Sequence, residues 1–323
     1  MNYEYYSNLA LVASVVVYAL AMFAHAAEWA SARGLAAPAD QRVTERSLAS
    51  VGAGGGRPER PVTTTPPGAV DSSGQRVELF GRVGVSLTVV GFALSLAGVV
   101  LRSVAAQRAP WGNMFEFTIS AMVFVVAAYL LLVWRSGLRW LGLPVTLLAA
   151  IGNGLAVTVF YVAVAPLVPA LHSVWFIIHI VAAAIAGAAF NVGGIASILY
   201  LLRKRAEDRG EVRGYLSRLP SAQRIDVLCY RLHAFAFPLW TFTVAAGAVW
   251  AEYAWGRYWG WDPKETWALV TWVIYACYLH ARATAGWKGK KAAVLAIIGL
   301  ASFWFNFIGI NLLVSGLHSY AGV

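Results

Sequence analysis

"VWFIIHIVAAAIAGAAFNVGGIASILYLL", from Val174 to Leu202, contains no acid, no lysine and no arginine. About 20 such residues suffice to cross the roughly 30 Å hydrocarbon core of a bilayer as a helix, so this stretch reads as a membrane span. Its one histidine is His179, placed in the first third of the run. An ionisable residue inside a membrane is costly to bury and marks a functional site by default.

The rest of the chain repeats the pattern. Seven further apolar stretches are long enough to span: Leu9–Ala30, Val83–Val104, Phe115–Trp134, Leu141–Ala165, Ile225–Trp250, Pro263–Ala285 and Ala292–Leu317. With 59% hydrophobic and 12% charged residues and a mean hydropathy of +0.64, a chain of 323 residues has more apolar surface than one water-soluble core can hide. The expected fold is all-α, a polytopic membrane helix bundle of about eight transmembrane helices. The opening "MNYEYYSN" has an acid and no basic residue, so the first apolar run lacks the positive flank of a cleaved signal peptide and is expected to be retained.

A net charge of +10 could suggest nucleic acid, but the basic residues sit in short loops between spans, so no nucleic-acid partner is expected. "RKRAEDRGEVRGYLSRLPSAQR" after the fifth span, "ARATAGWKGKK" after the seventh and the long segment after the first are all basic, which puts those three on the cytoplasmic side of a plasma membrane. Both termini, and the loop between helices six and seven, are then extracytoplasmic. The predicted layout is a first transmembrane helix over 1–30, a flexible Gly-, Pro- and Thr-rich cytoplasmic linker over 31–82, helices two to four over 83–170 and a core over 171–323. Cys229 and Cys277 form no C-x-x-C pair, so thiol exchange by this chain is not indicated.

The loop between helices six and seven reads "WGRYWGWDPKETW", Trp255–Trp267. Seven of the 14 tryptophans fall between Trp240 and Trp272, too concentrated for an interfacial belt shared among eight helices. Trp255, Trp259 and Trp261, with Gly256 and Gly260 permitting close backbone approach, make a platform for a planar ligand. Asp262-Pro263-Lys264-Glu265 also fits a capping box that opens helix seven, so Asp262 and Glu265 have a purely structural reading beside a functional one. Asn113 and Glu116 in "PWGNMFEF" have the same double reading at the head of helix three.

The histidines divide by depth. His179 and His318 lie level with the tryptophan loop, whereas His280 lies near the inner end of helix seven. Two imidazoles from different helices can grip both axial faces of a haem iron, which suits His179 and His318. Asn311, Ser315 and His318 share one helix face and point it toward a site. At the inner depth His25 in "MFAHAAEW", close to Glu28, is the preferred partner for His280; His233 reads as a packing histidine and His172 as a surface one.

"WGRYWGWDPKETWALVTW" is similar to the tryptophan-rich WWD signature, W-G-x-x-W-x-W-D, of haem-handling proteins. Its continuation "YLHARATAGWKGKKAAVLAIIGLASFWFNFIGINLLVSGLHSYA" resembles the CcsA/ResC family of System II cytochrome c biogenesis. The resemblance covers roughly Leu171 to Ala321, with an echo in "PWGNMFEF", and makes 171–323 a haem-handling core. It implies that the chain works with a ResB/CcsB-type membrane protein, carries haem b to the outer face and presents its vinyl groups to the C-x-x-C-H thiols of apocytochrome c, as part of a cytochrome c haem lyase. It further implies that His179 and His318 are the external haem-iron ligands, that Asp262 and the tryptophans belong to the haem site and that His280 is the transmembrane ligand. The second transmembrane histidine then comes from the partner, which competes with the His25 reading. Thioether formation needs reduced thiols, so a thiol-reducing, thioredoxin-like protein is implied as well. A multi-pass transporter or permease and a b-type haem electron carrier are the alternative classes; no inverted repeat or broken helix pair supports the former.

Overall fold

The computed structural model describes residues 2–32 and 72–318. Eight helices traverse it: α1 (Tyr3–Ser31), α2 (Ser72–Ala106), α3 (Met114–Ser136), α4 (Gly142–Thr158), α5 (Val174–Asp208), α6 (Ala222–Trp255), α7 (Pro263–Ala283) and α8 (Lys290–Trp304). A π-helical turn, Phe305–Gly309, continues α8 into a last α-turn, Ile310–Leu313. There is no strand among the described residues.

Seven of these segments are long and apolar enough to cross a membrane, counting Lys290–Leu313 as one. The exception is α7, whose 21 residues reach about 31 Å but include Lys264, Glu265, His280 and Arg282. It packs against α6 and α8 within the bundle. The chain is thus a polytopic helical membrane protein.

Boundaries differ from expectation in two places. Helix two starts at Ser72 rather than Val83, because "QRVEL" is good helix-forming sequence with a Glu78–Arg82 pair at 2.8 Å across one turn. Helix four stops at Thr158, short of Ala165; Pro166 and Pro169 follow, and the chain runs on without helix to the short turn Pro169–Leu171. Most of the linker expected over 31–82 lies outside the described residues.

The helices group as α1–α4 and α5–α8, joined chiefly where α3 meets α5. In the first group α1 lies along α2 on a seam of small residues. A Cβ at Gly81, Gly84, Gly91 or Gly98 would stand within 2.6–2.8 Å of Glu28, His25, Tyr18 or Leu11. Membrane helices lack a hydrophobic drive to associate, so close approach and interhelical hydrogen bonds hold them. Asn153 of α4 supplies such bonds, to the hydroxyls of Ser14 at 3.0 Å and Ser95 at 2.8 Å.

Ion clusters tie the two ends. Beside the tryptophan loop, fully buried Arg102 donates to Glu116 at 2.9 Å, to Glu4 at 3.1 Å and to the Val162 carbonyl at 2.7 Å. At the opposite end Arg282 of α7 makes a two-pronged bond to Asp226 of α6, at 2.8 and 3.0 Å. The α3 cap resolves by residue: Asn113 accepts from the Glu116 backbone at 2.9 Å, while the Glu116 carboxylate serves Arg102, Arg108 and the Gly112 backbone. Arg102→Met would remove one of three donors to the buried Glu116 carboxylate, leaving Arg108 and Gly112 in place, and is expected to cost about 1–3 kcal/mol. Thermal unfolding in detergent checks this, and an unchanged midpoint would contradict it.

Candidate functional site

One large cavity opens beside the tryptophan loop, with an atom-free volume of about 1430 Å³ that includes the open space at its mouth. It lies among α3, α5, α6, the first turn of α7 and the end of α8, and is walled mainly by apolar and aromatic side chains. Both His179 and His318 line it, from opposite ends of the 171–323 segment.

Each imidazole is aimed by its Nδ1. His179 Nδ1–H donates to the Thr243 carbonyl at 2.8 Å, and a carbonyl can only accept, so the lone pair resides on Nε2. His318 Nδ1–H donates to Asp262 Oδ1 at 2.7 Å, which leaves a lone pair on Nε2 in the neutral form of the ring. A histidine whose outer nitrogen is held by a carbonyl or carboxylate is the usual arrangement of a metal-binding imidazole. Both rings abut Trp250, His179 near-parallel to it at 5.8 Å between centroids and His318 edge-on at 5.6 Å.

Asp262 carries several bonds at once. It caps α7 through the Lys264 backbone N–H at 3.1 Å, accepts from the Leu317 backbone at 2.7 Å and holds His318. Burial alone would raise its carboxyl, but the His318 hydrogen bond and charge, with the two backbone donors, hold it down at about 2. Glu265 completes the capping box: it accepts from the backbones of Asp262 and Gly260, at 3.1 and 2.9 Å, and pairs with Arg257 at 3.0 Å. The capping reading of Asp262 is thus observed, and the same carboxylate holds His318.

The three loop tryptophans part company. Trp259 lines the cavity. Trp255 stands behind His318, 4.9 Å from its ring and 4.9 Å from Trp250, as a support. Trp261 turns outward, 69% exposed, on a backbone with φ of 58°. That left-handed conformation flips it off the platform expected from sequence. Gly256, at φ 68°, ends α6 in the left-handed cap that favours glycine.

The inner histidines are not brought together. His280 is exposed on α7 at the far end from the loop. His25 is fully buried among α1, α2 and α4, bonded through Nδ1 to Glu28 at 3.3 Å, in the other helix group. A Cβ on Gly84 or Gly142 would run into its ring, so no flat ligand has room there. His233 is buried with its Nδ1 bonded to the Cys229 carbonyl at 2.7 Å, as expected of a packing residue, and His172 is exposed.

Sequence reasoning passed over several residues that complete the cavity. Trp250, Trp240 and Trp304 each commit the indole N–H to a partner, Ala170, Ala268 and Asn191 respectively, and all three help line the wall. Trp111, inside the "PWGNMFEF" echo but not singled out there, reaches the cavity from the α3 cap. The π-turn of α8 brings in Asn306, whose Oδ1 is buried without a hydrogen-bond partner. Such turns frequently occur at functional sites. Only tertiary packing reveals these, apart from the tryptophan count. A Cβ on Gly247 would lie 2.8 Å from His179 Nδ1 and Cε1. Gly247→Ala is therefore expected to overpack the α5–α6 contact by about 1–3 kcal/mol, read as a lowered thermal midpoint. An unaltered midpoint would mean that the His179 seat has slack.

The chain resembles known proteins over most of its length. The sequence profile of the family described as "Cytochrome C assembly protein" matches residues 86–318, a range that contains His179, the tryptophan loop, His280 and His318. The chain is 35% identical to "Cytochrome c biogenesis protein CcsA" of Mesostigma viride, over 78% of this chain and 89% of that one. It is 33% identical to the protein of the same name from Synechococcus sp. (strain JA-3-3Ab), over 76% of this chain and 87% of that one. Among solved structures, "Cytochrome c Heme Lyase CcmF" superposes with a TM-score of 0.60 at 15% identity, covering 98% of this chain. This chain spans about half of that structure, at 48%, and at such identity the likeness is one of fold. On the extent of the profile match and on these relatives, the chain belongs to the cytochrome c assembly protein family.

Proposed function

We propose that this cytochrome c assembly protein binds haem b between His179 and His318 and presents it at the extracytoplasmic face of the plasma membrane for attachment to apocytochrome c. The observation that carries the reading is the pair of imidazoles on one aromatic-walled cavity, each with Nδ1 tied to an acceptor so that Nε2 keeps its lone pair. The cavity suits a flat, mostly apolar ligand, because its walls are mainly aromatic and aliphatic with a few convergent polar groups.

The chain's part is to hold and orient. His179 and His318 would hold the haem iron through their Nε2 atoms. Asp262 fixes the azimuth of His318 and couples it to the start of α7, while Thr243 does the same for His179. Trp250 and Trp259 cover the ring and exclude water from it. Bound haem supplies two vinyl groups, across whose double bonds the S–H of each C-x-x-C-H cysteine adds. The basic loops support an orientation that leaves both termini and the tryptophan loop outside.

His280 is the chain's contribution to an inner haem station. It lies on the exposed side of α7, which favours a second histidine supplied from outside this bundle, by a ResB/CcsB-type partner, over His25. This chain has no cysteine pair, so a thioredoxin-like protein keeps the client thiols reduced.

Replacing His179 or His318 by Ala is expected to abolish the haem absorption of protein purified from a haem-sufficient host, with recovery on adding imidazole. Asp262→Asn is expected to weaken haem affinity by about 10–100-fold without abolishing it. Unchanged bound haem in both histidine variants would contradict the assignment. A colourless wild-type protein would favour a solute transporter instead.

A further inference from the structure

One lysine, Lys264 in the first turn of α7, lines the proposed haem cavity, and Asp262 acts on its charge only from beyond salt-bridge distance. The two carboxylates nearest in the chain are both taken. Asp262 accepts from His318, from the Leu317 backbone and from Lys264's own backbone N–H, and Glu265 pairs with Arg257 and caps two backbone donors. Among the described residues no carboxylate comes within salt-bridge distance of the Lys264 ammonium.

A charge held away from water with no salt-bridge partner is costly, and this one faces a wall rich in Trp, Phe and Ala. Lysine would be a poor choice for covering aromatic surface in an otherwise apolar site. The cost is offset if the ligand brings a matching anion, and charge-assisted bonds between ammonium and carboxylate are among the strongest available. Apart from Glu265, which is already neutralised by Arg257, the wall contributes no acid that would repel such an anion.

We propose that Lys264 recognises a propionate carboxylate of the tetrapyrrole, so that the site selects a dicarboxylate porphyrin over its neutral ester. The inference rests on the haem reading above and extends it from the iron to the ring's edge. The capping motif thereby has three separate duties: Asp262 orients an iron ligand, Glu265 closes the loop and Lys264 reads the ligand's charge.

The test uses the full chain purified in detergent, freed of haem, and titrated with hemin and with hemin dimethyl ester while the Soret band is followed. Wild type is expected to bind hemin about tenfold or more tightly than the ester. Lys264→Met should lower hemin affinity about tenfold, leave ester affinity and the bis-histidine spectrum unchanged and so erase the preference; Lys264→Arg should restore it. Equal binding of the two porphyrins by wild type, or a preference that survives in Lys264→Met, would overturn the proposal. The wild-type comparison decides the matter by itself if the Met variant loses both ligands. Failure of wild type to bind either porphyrin would overturn the haem reading itself, which distinguishes the two failures.

Discussion

A single carboxylate links the parts of this site. Asp262 lies at the junction of the tryptophan loop, the first turn of α7 and the segment after α8, and it bonds to all three. Helix α7 needs an acceptor at its exposed N–H groups, and the chain after Leu313 has left the helix and needs an anchor. Asp262 meets both needs with one side chain. The imidazole of His318 therefore has its position set by a helix cap, which is among the most local and reproducible features a sequence can encode.

The bilayer imposes the wider constraint. Every polar group taken into the bundle must find a partner inside it, because lipid offers none. The molecule satisfies this at its ends with ion clusters, Arg102 with Glu116 and Arg282 with Asp226, and along α1 and α2 with glycine contacts and the Asn153 bonds. These hold the walls while one volume stays open. Polar groups facing that volume include His179, His318, Lys264 and Asn306, the last with a buried Oδ1 that has no hydrogen-bond partner.

Much of this was readable from residue order. Uninterrupted apolar runs announced the membrane bundle, and a lone His179 in one of them announced a site; both depend on composition within a single helix. The pairing of His179 with His318 was also legible, through the tryptophan loop set between them. Side-chain direction was not. Trp261 faces outward because its backbone is left-handed, His25 is sealed by glycines from two other helices, and Asn306 reaches the cavity through a π-turn. Lys264 was hidden by its neighbours: in "DPKE" it reads as an ordinary first-turn residue, and only the prior engagement of Asp262 and Glu265 leaves its charge without a salt bridge. The apolar run ending at Ala165 overstated helix four because hydropathy does not register Pro166 and Pro169 as stops.

The central claim is that one cavity, flanked by His179 and His318, is the haem site. An experimental structure of the haem-loaded protein tests it most directly. The account predicts iron between the two Nε2 atoms, with Trp250 and Trp259 against the ring. A porphyrin held elsewhere, or lipid filling the cavity while haem binds, would contradict it.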